Sequence, residues 1–142
     1  MTTAATPPSP LPTDRCEQLA GWALSERRSA YVWHPTTIDQ IQEVFALARR
    51  VGTTVTPRGA GNSYNDAALN QDAIVLDLTG MRRILEWNPH TGVLRVEAGV
   101  TIGDIWRHCL PDGWWPAVVP GTQTPTVGGC LAMNVHGKNA WK

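Results

Sequence analysis

The sequence predicts an α+β domain, and three observations predict it. Residues 38–51 repeat apolar side chains at helical spacing, whereas short β-branched or continuously apolar runs elsewhere read as strands. Strand and helix signals are mixed, without the regular alternation of a doubly wound sheet. Two glycine-rich segments, PRGAGNSYND (57–66) and PGTQTPTVGGCLAMNVHGKN (120–139), each follow a strand-like run. A chain of 142 residues with 42% hydrophobic and 17% charged content suffices for one domain with a buried core.

The first 15 residues are rich in Pro, Thr and Ser and read as a disordered leader, with order expected from Cys16. They lack the basic and apolar regions of an ordinary signal peptide. Ala30, Val32 and Trp33 mark a short first strand that ends at His34-Pro35, because a residue before proline avoids the helical region. Ile38, Ile41, Val44, Phe45, Ala48 and Val51 then predict an amphipathic helix. Thr37 and Gln40 resemble a capping box, while Arg49 and Arg50 before Gly52 supply complementary charge and a stop.

Thr53–Thr56 is a β-branched run that delivers the chain to the first glycine segment, and Ala73–Leu78 reads as a buried strand. Arg83–Trp87 and Val93–Glu97 flank the turn cluster Asn88-Pro-His-Thr-Gly92, which predicts a hairpin. In 101–110, Ile102, Ile105, Trp106 and Cys109 share one helical face, and Pro111-Asp-Gly113 ends that helix. Ala117–Val119 is expected to be another strand, and Val127–Val135 a short helix at the end of the second glycine segment.

Twelve basic and twelve acidic residues cancel, so no net field draws nucleic acid or an anionic membrane. An anionic ligand must be held locally, by backbone amides and a few side chains. No apolar run approaches the ~20 residues of a membrane span, so no direct membrane anchor is expected. The expected location is the cytoplasm, at most peripheral to the inner membrane. Cys16, Cys109 and Cys130 have no metal-ligand spacing and read as reduced, packing thiols; no metal is expected. His34, His90 and His108 read as structural or surface residues, and Trp114 and Trp115 as packing rather than a stacking platform.

Glycine admits positive φ and close approach of a ligand to the backbone, and successive N–H groups in such a turn form an anion cradle. Gly59 and Gly61 bracket Ala60 in the first segment, with Ser63 nearby; the second offers Gly121, Gly128 and Gly129 with the hydroxyls of Thr122, Thr124 and Thr126. Either segment alone reads equally well as an ordinary turn. Neither is a dinucleotide fingerprint or a P-loop: the first is R-G-x-G-x-S, and no G-K-[ST] occurs.

RGAGNSYND, AIVLDLTGMRRI, VEAGVTIGDI and PGTQTPTVGGCLAMNVHGKN, in this order and spacing, resemble the FAD-binding domain of the vanillyl-alcohol oxidase / p-cresol methylhydroxylase (PCMH) type flavoproteins. The likeness covers roughly 29–139, and HGKN with RGxGxSY looks most like the group that oxidises a decaprenylphosphoryl-linked ribose for cell-wall biogenesis. The resemblance implies a PCMH-type α+β fold over 16–142, incomplete at the C-terminus, and FAD as cofactor. Its first wall would be Arg58, Gly59, Ala60, Gly61, Asn62, Ser63, Tyr64, Asn65, Asp66 and Ala67. Gly121, Thr126, Val127, Gly128 and Gly129 would form the second wall, and His136, Gly137, Lys138 and Asn139 would run along the flavin.

Many members place a histidine directly after R-G-x-G and bond it covalently to the flavin. Asn62 stands there, so non-covalent FAD is expected. Asn65 replaces a frequent glycine and is expected in a left-handed conformation. By the same resemblance Lys138 would orient an anionic or hydroxyl-bearing substrate and His136 would shape the flavin pocket. Members of the family are longer, so a C-terminal half or a reductase is an expected partner. The implied activity is oxidation of a sugar or alcohol hydroxyl on a small or lipid-linked substrate, with membrane association only through such a lipid or through partners. Polyol or sugar-lactone oxidation, a split-enzyme flavin module and an inactive remnant are the alternatives.

Overall fold

The computed structural model describes residues 10–24 and 26–137. Four strands, β1 (Cys16–Ala20), β2 (Arg27–Trp33), β3 (Val55–Arg58) and β4 (Ile74–Asp77), form one sheet in the order β1-β2-β4-β3. β1 pairs antiparallel with β2, whereas β4 lies parallel to both β2 and β3. Helix α1 (Ile38–Val51) makes the crossover from β2 to β3. A two-stranded hairpin, β5 (Ile84–Asn88) and β6 (Val93–Val96), follows, then helices α2 (Ile102–Cys109) and α3 (Val127–Ala132).

β4 is central and parallel on both sides, which explains its unbroken apolar run. Ile74 and Leu76 face α1, packing with Val44, Ala48 and Leu11, while Val75 turns to Ala30 and Val32 on the other side. The expected box on α1 forms in part: Thr37 Oγ1 accepts from Gln40 N at 3.3 Å, but Gln40 Oε1 accepts from Thr36 N at 2.7 Å, one residue before the N-cap. Gly52 closes the helix at φ 69°.

Four expectations change. Order starts before Cys16, because Leu11 is 4% exposed in the core and Thr13–Arg15 forms a 3-10 turn; residues 1–9 lie outside the described residues. Cys16–Ala20 is a strand that its polar composition concealed. Ala117–Val119 forms no strand element, bending at Ala117 and Val118, and α3 stops at Ala132 rather than Val135. Trp114 packs on the hairpin turn, its indole N–H donating to Pro89 O at 2.7 Å, and Trp115 lies 6.0 Å from the ring of Trp106. Both tryptophans nonetheless stay partly exposed. Among the described residues no helix is long and apolar enough to cross a membrane.

Candidate functional site

β3 ends at Arg58 and releases the first glycine loop beside the second, and between them opens a cleft of about 350 Å³. The two loops touch at its base. A Cβ on Gly59 would collide with Thr126 Oγ1, so only glycine lets the walls approach this closely. Above that contact Asn62 Nδ2 donates to Thr124 Oγ1 at 2.6 Å, and Thr124 Oγ1 lies 3.1 Å from Thr122 Oγ1.

The first loop is braced from behind. The Arg58 guanidinium donates through Nη1 to Ala68 O at 3.1 Å and through Nη2 to Ala20 O at 2.8 Å, tying both ends of the loop to β1. Burial lowers the pKa of Arg58, against the opposing pull of Asp77. Gly61, at φ 71°, rests so close to this guanidinium that a Cβ there would strike Nη2. Asn65 adopts φ 54°, the left-handed conformation expected of it. Among the described residues, no backbone N–H from Gly59 to Asn65 donates to a protein acceptor.

The second loop hangs on the hairpin and α2. Val127 N donates to Val100 O at 2.8 Å, Gly128 N to Ala98 O at 2.9 Å, Ile102 N to Pro125 O at 3.0 Å and Gly103 N to Gln123 O at 2.9 Å. Thr126, 2% exposed, caps α3 by accepting from Gly129 N at 3.3 Å. The platform carries its own carboxylates. Thr101 and Asp104 form a full capping box on α2. Burial opposes ionisation of Asp104, but bonds from Thr101 and Arg82 outweigh it and hold its pKa below the ordinary carboxylate value. Glu97 accepts from Arg83 Nε at 2.8 Å, Nη2 at 2.6 Å and backbone N at 2.7 Å. The guanidinium bonds first, and the backbone bond second, lower the Glu97 pKa.

Of the residues expected to bind, Gly59, Ala60, Gly61, Asn62, Ser63, Tyr64, Gly121, Thr126 and Gly129 line the cleft. Arg58, Asn65, Asp66, Ala67, Val127 and Gly128 do not line it; Arg58 braces the loop, and Gly128 is pressed against Ala98. His136 is exposed, and Gly137 crosses Val119 so closely that a Cβ would strike its carbonyl. Lys138 and Asn139 lie outside the described residues. Sequence reasoning left Trp22, Ala68, Pro120, Pro125, Cys130, Met133 and Val135 out of the lining, and noted Thr122 only as a hydroxyl. The apolar side chains among them follow short breaks or glycines, where no periodicity marks their face.

A row of backbone donors that meet no acceptor among the described residues, beside an apolar wall and between two glycine loops of a neutral protein, suits a diphosphate-bearing cofactor with flat rings. The site and fold thus define a nucleotide-cofactor domain. A family profile described as "FAD binding domain" matches residues 29–142, and the chain belongs to that family, with FAD as its cofactor. It is 35% identical over 124 residues to the decaprenylphosphoryl-beta-D-ribose oxidase of Mycolicibacterium smegmatis, covering 87% of this chain and 27% of that protein. It is 28% identical over 120 residues to mouse (Mus musculus) L-gulonolactone oxidase, covering 84% of this chain and 27% of that protein. A histidine-to-alanine variant of cholesterol oxidase from Brevibacterium sterolicum superposes with a TM-score of 0.73 at 21% identity, over 94% of this chain and 27% of that one. The fold is the α+β fold of the PCMH-type flavoproteins. The chain spans about a quarter of the length of these relatives.

Proposed function

We propose that this chain is the FAD-binding part of an oxidoreductase that oxidises a sugar or alcohol hydroxyl, and that it holds FAD without a covalent bond. The observation that carries the reading is the cleft bridged by Asn62 and Thr124, with residues 59–64, whose backbone N–H groups donate to no acceptor among the described residues, along its first wall. Bound FAD supplies the acceptor for the hydride equivalent of the alcohol carbon. The protein's part is positional. Backbone donors of the first loop take the diphosphate, Thr126 fixes the spacing of the walls, and the Asn62–Thr124 bridge ties the two loops together. His136 shapes the flavin pocket and Lys138 orients the substrate. Asn62 carries no imidazole to attack the flavin methyl, which supports the non-covalent reading.

For the substrate, the 35% identity to an enzyme named for decaprenylphosphoryl-ribose supports a lipid-linked ribose. The likeness to L-gulonolactone oxidase supports a sugar lactone as the second reading. Turnover also draws on a C-terminal half or a reductase partner. The test uses purified holoprotein. Acid precipitation is expected to leave the yellow flavin in the supernatant, and flavin in the pellet overturns the non-covalent assignment. With a C-terminal half supplied, anaerobic polyprenylphosphoryl ribose is expected to bleach the flavin. Bleaching by a sugar lactone alone selects the second reading, and bleaching by neither refutes hydroxyl oxidation.

A further inference from the structure

A large indole stands where no sequence motif drew attention. Trp22 borders the cleft and keeps 41% of its surface exposed, although an aromatic ring of this size gains most from burial. Its backbone is not a loose connection. Trp22 N donates to Ser63 O at 3.1 Å, and Gly21 N donates to Glu26 O at 3.0 Å. Ala20 O receives the Arg58 guanidinium at 2.8 Å. Gly21 packs so tightly on the first loop that a Cβ would strike Asn65 O. Residues 20–22 are therefore locked to the glycine loop at three successive positions.

The next two residues carry strain. Ala23 and Leu24 adopt φ 62° and 58°, a left-handed conformation that neither residue favours and that persists only where surrounding contacts over-determine it. Leu24 N donates to Gly21 O at 3.1 Å and closes the turn, and Trp22 lines the cleft beside it. FAD presents two demands to such a site: a diphosphate, suited to backbone donors, and two flat heteroaromatic systems, suited to a π face. Tyr64, also in the lining, is 74% exposed and lies on the loop itself. Trp22 comes from a separate element.

We propose that the amino-terminal turn supplies a third wall of the cofactor cleft, in which Trp22 packs its indole against a planar ring of FAD. This rests on the reading of the cleft as the FAD site. The experiment measures FAD dissociation constants for the full chain as wild type and as Trp22→Leu, Trp22→Tyr and Trp22→Phe, with parallel titrations by FMN and ADP. Trp22→Leu is expected to weaken FAD binding about tenfold or more, as loss of one ring stack does, with Trp22→Tyr and Trp22→Phe in between. A matching loss for FMN assigns the contact to the isoalloxazine, and for ADP to the adenine. Equal FAD affinity across wild type and the aromatic variants, or an undiminished Trp22→Leu, overturns the proposal. If Trp22→Leu does not fold, the aromatic series decides alone. Wild type that binds no FAD overturns the cofactor reading and this one with it, whereas tight wild-type binding with indifferent variants overturns only this one.

Discussion

The two glycine loops form one cleft by different means. The first is held by a side chain: Arg58 reaches across to Ala20 and Ala68 and stiffens the loop from beneath, while among the described residues the backbone N–H groups of 59–65 donate to no protein acceptor. The second is held by backbone: Ala98, Val100, Ile102 and Gly103 pair with 123–128 almost as a short sheet would. A loop braced by one guanidinium keeps its donors for a ligand but depends on a single residue. A loop paired through its backbone tolerates side-chain change but spends its donors on the fold. The proposed binding through main-chain N–H groups would accordingly concentrate on the first loop.

Arg58 is the place to break this arrangement with the largest effect. Arg58→Met leaves two carbonyls without their charged donor, and should cost about 2–3 kcal/mol, each bond to a charged group being worth roughly 1.5–3 before compensation by water. Arg58→Lys should recover only part, because a point-charge ammonium cannot fork to two separated carbonyls. Urea midpoints at an unchanged m-value measure the stability, and FAD affinity should fall in the same order. Equal midpoints for wild type and Arg58→Met would show that the brace is incidental.

This contrast was only half legible in the sequence. The α1 periodicity, the hydrophobic run of β4, the hairpin turn and the left-handed Asn65 follow from local chemistry, and local chemistry is what a sequence displays. The glycine pattern marked Gly59, Gly61 and Gly121 because a missing Cβ is visible in the letters. The role of Arg58 was not visible, since its partners Ala20 and Ala68 offer only backbone oxygens. β1 was hidden for a related reason. An edge strand with exposed polar residues lacks the apolar alternation of a half-buried one, and its pairing with β2 is decided by the chain reversal through Trp22. Leu11 likewise joins the core from a segment whose composition reads as a leader.

On the second loop the expected effect is smaller. Thr126→Val keeps volume but removes the acceptor that caps α3, and should cost about 1 kcal/mol, the usual worth of an N-cap. Thr126→Ser should restore most of it. The backbone pairing to Ala98 and Val100 survives both changes, so the loop should stay in place and FAD affinity should fall less than for Arg58→Met. Thermal unfolding and FAD titration of the three proteins test this. A Thr126→Val loss in affinity exceeding that of Arg58→Met would mean that the spacing set by the Gly59–Thr126 contact matters more to the cofactor than the brace does.

Acid should separate the loops with the smallest effect. Glu97 and Asp104, which secure the platform of the second loop, both have native pKa values below those of the unfolded chain. Each therefore contributes stability above the ordinary carboxylate range and loses it as pH falls through the depressed native value. The brace of the first loop is a guanidinium bonded to carbonyls, and neither partner titrates in acid. Hydrogen exchange compared between mildly and strongly acidic buffer, after correction for the intrinsic rate, should show residues 98–104 and 126–129 losing protection. A capping interaction worth about 1 kcal/mol limits that loss to roughly fivefold. Residues 20–22 and 69, whose amides sit around the brace, should lose less. Equal loss in both regions would mean that the loops open together, and that the backbone-paired wall and the side-chain-braced wall behave as one unit despite their different construction.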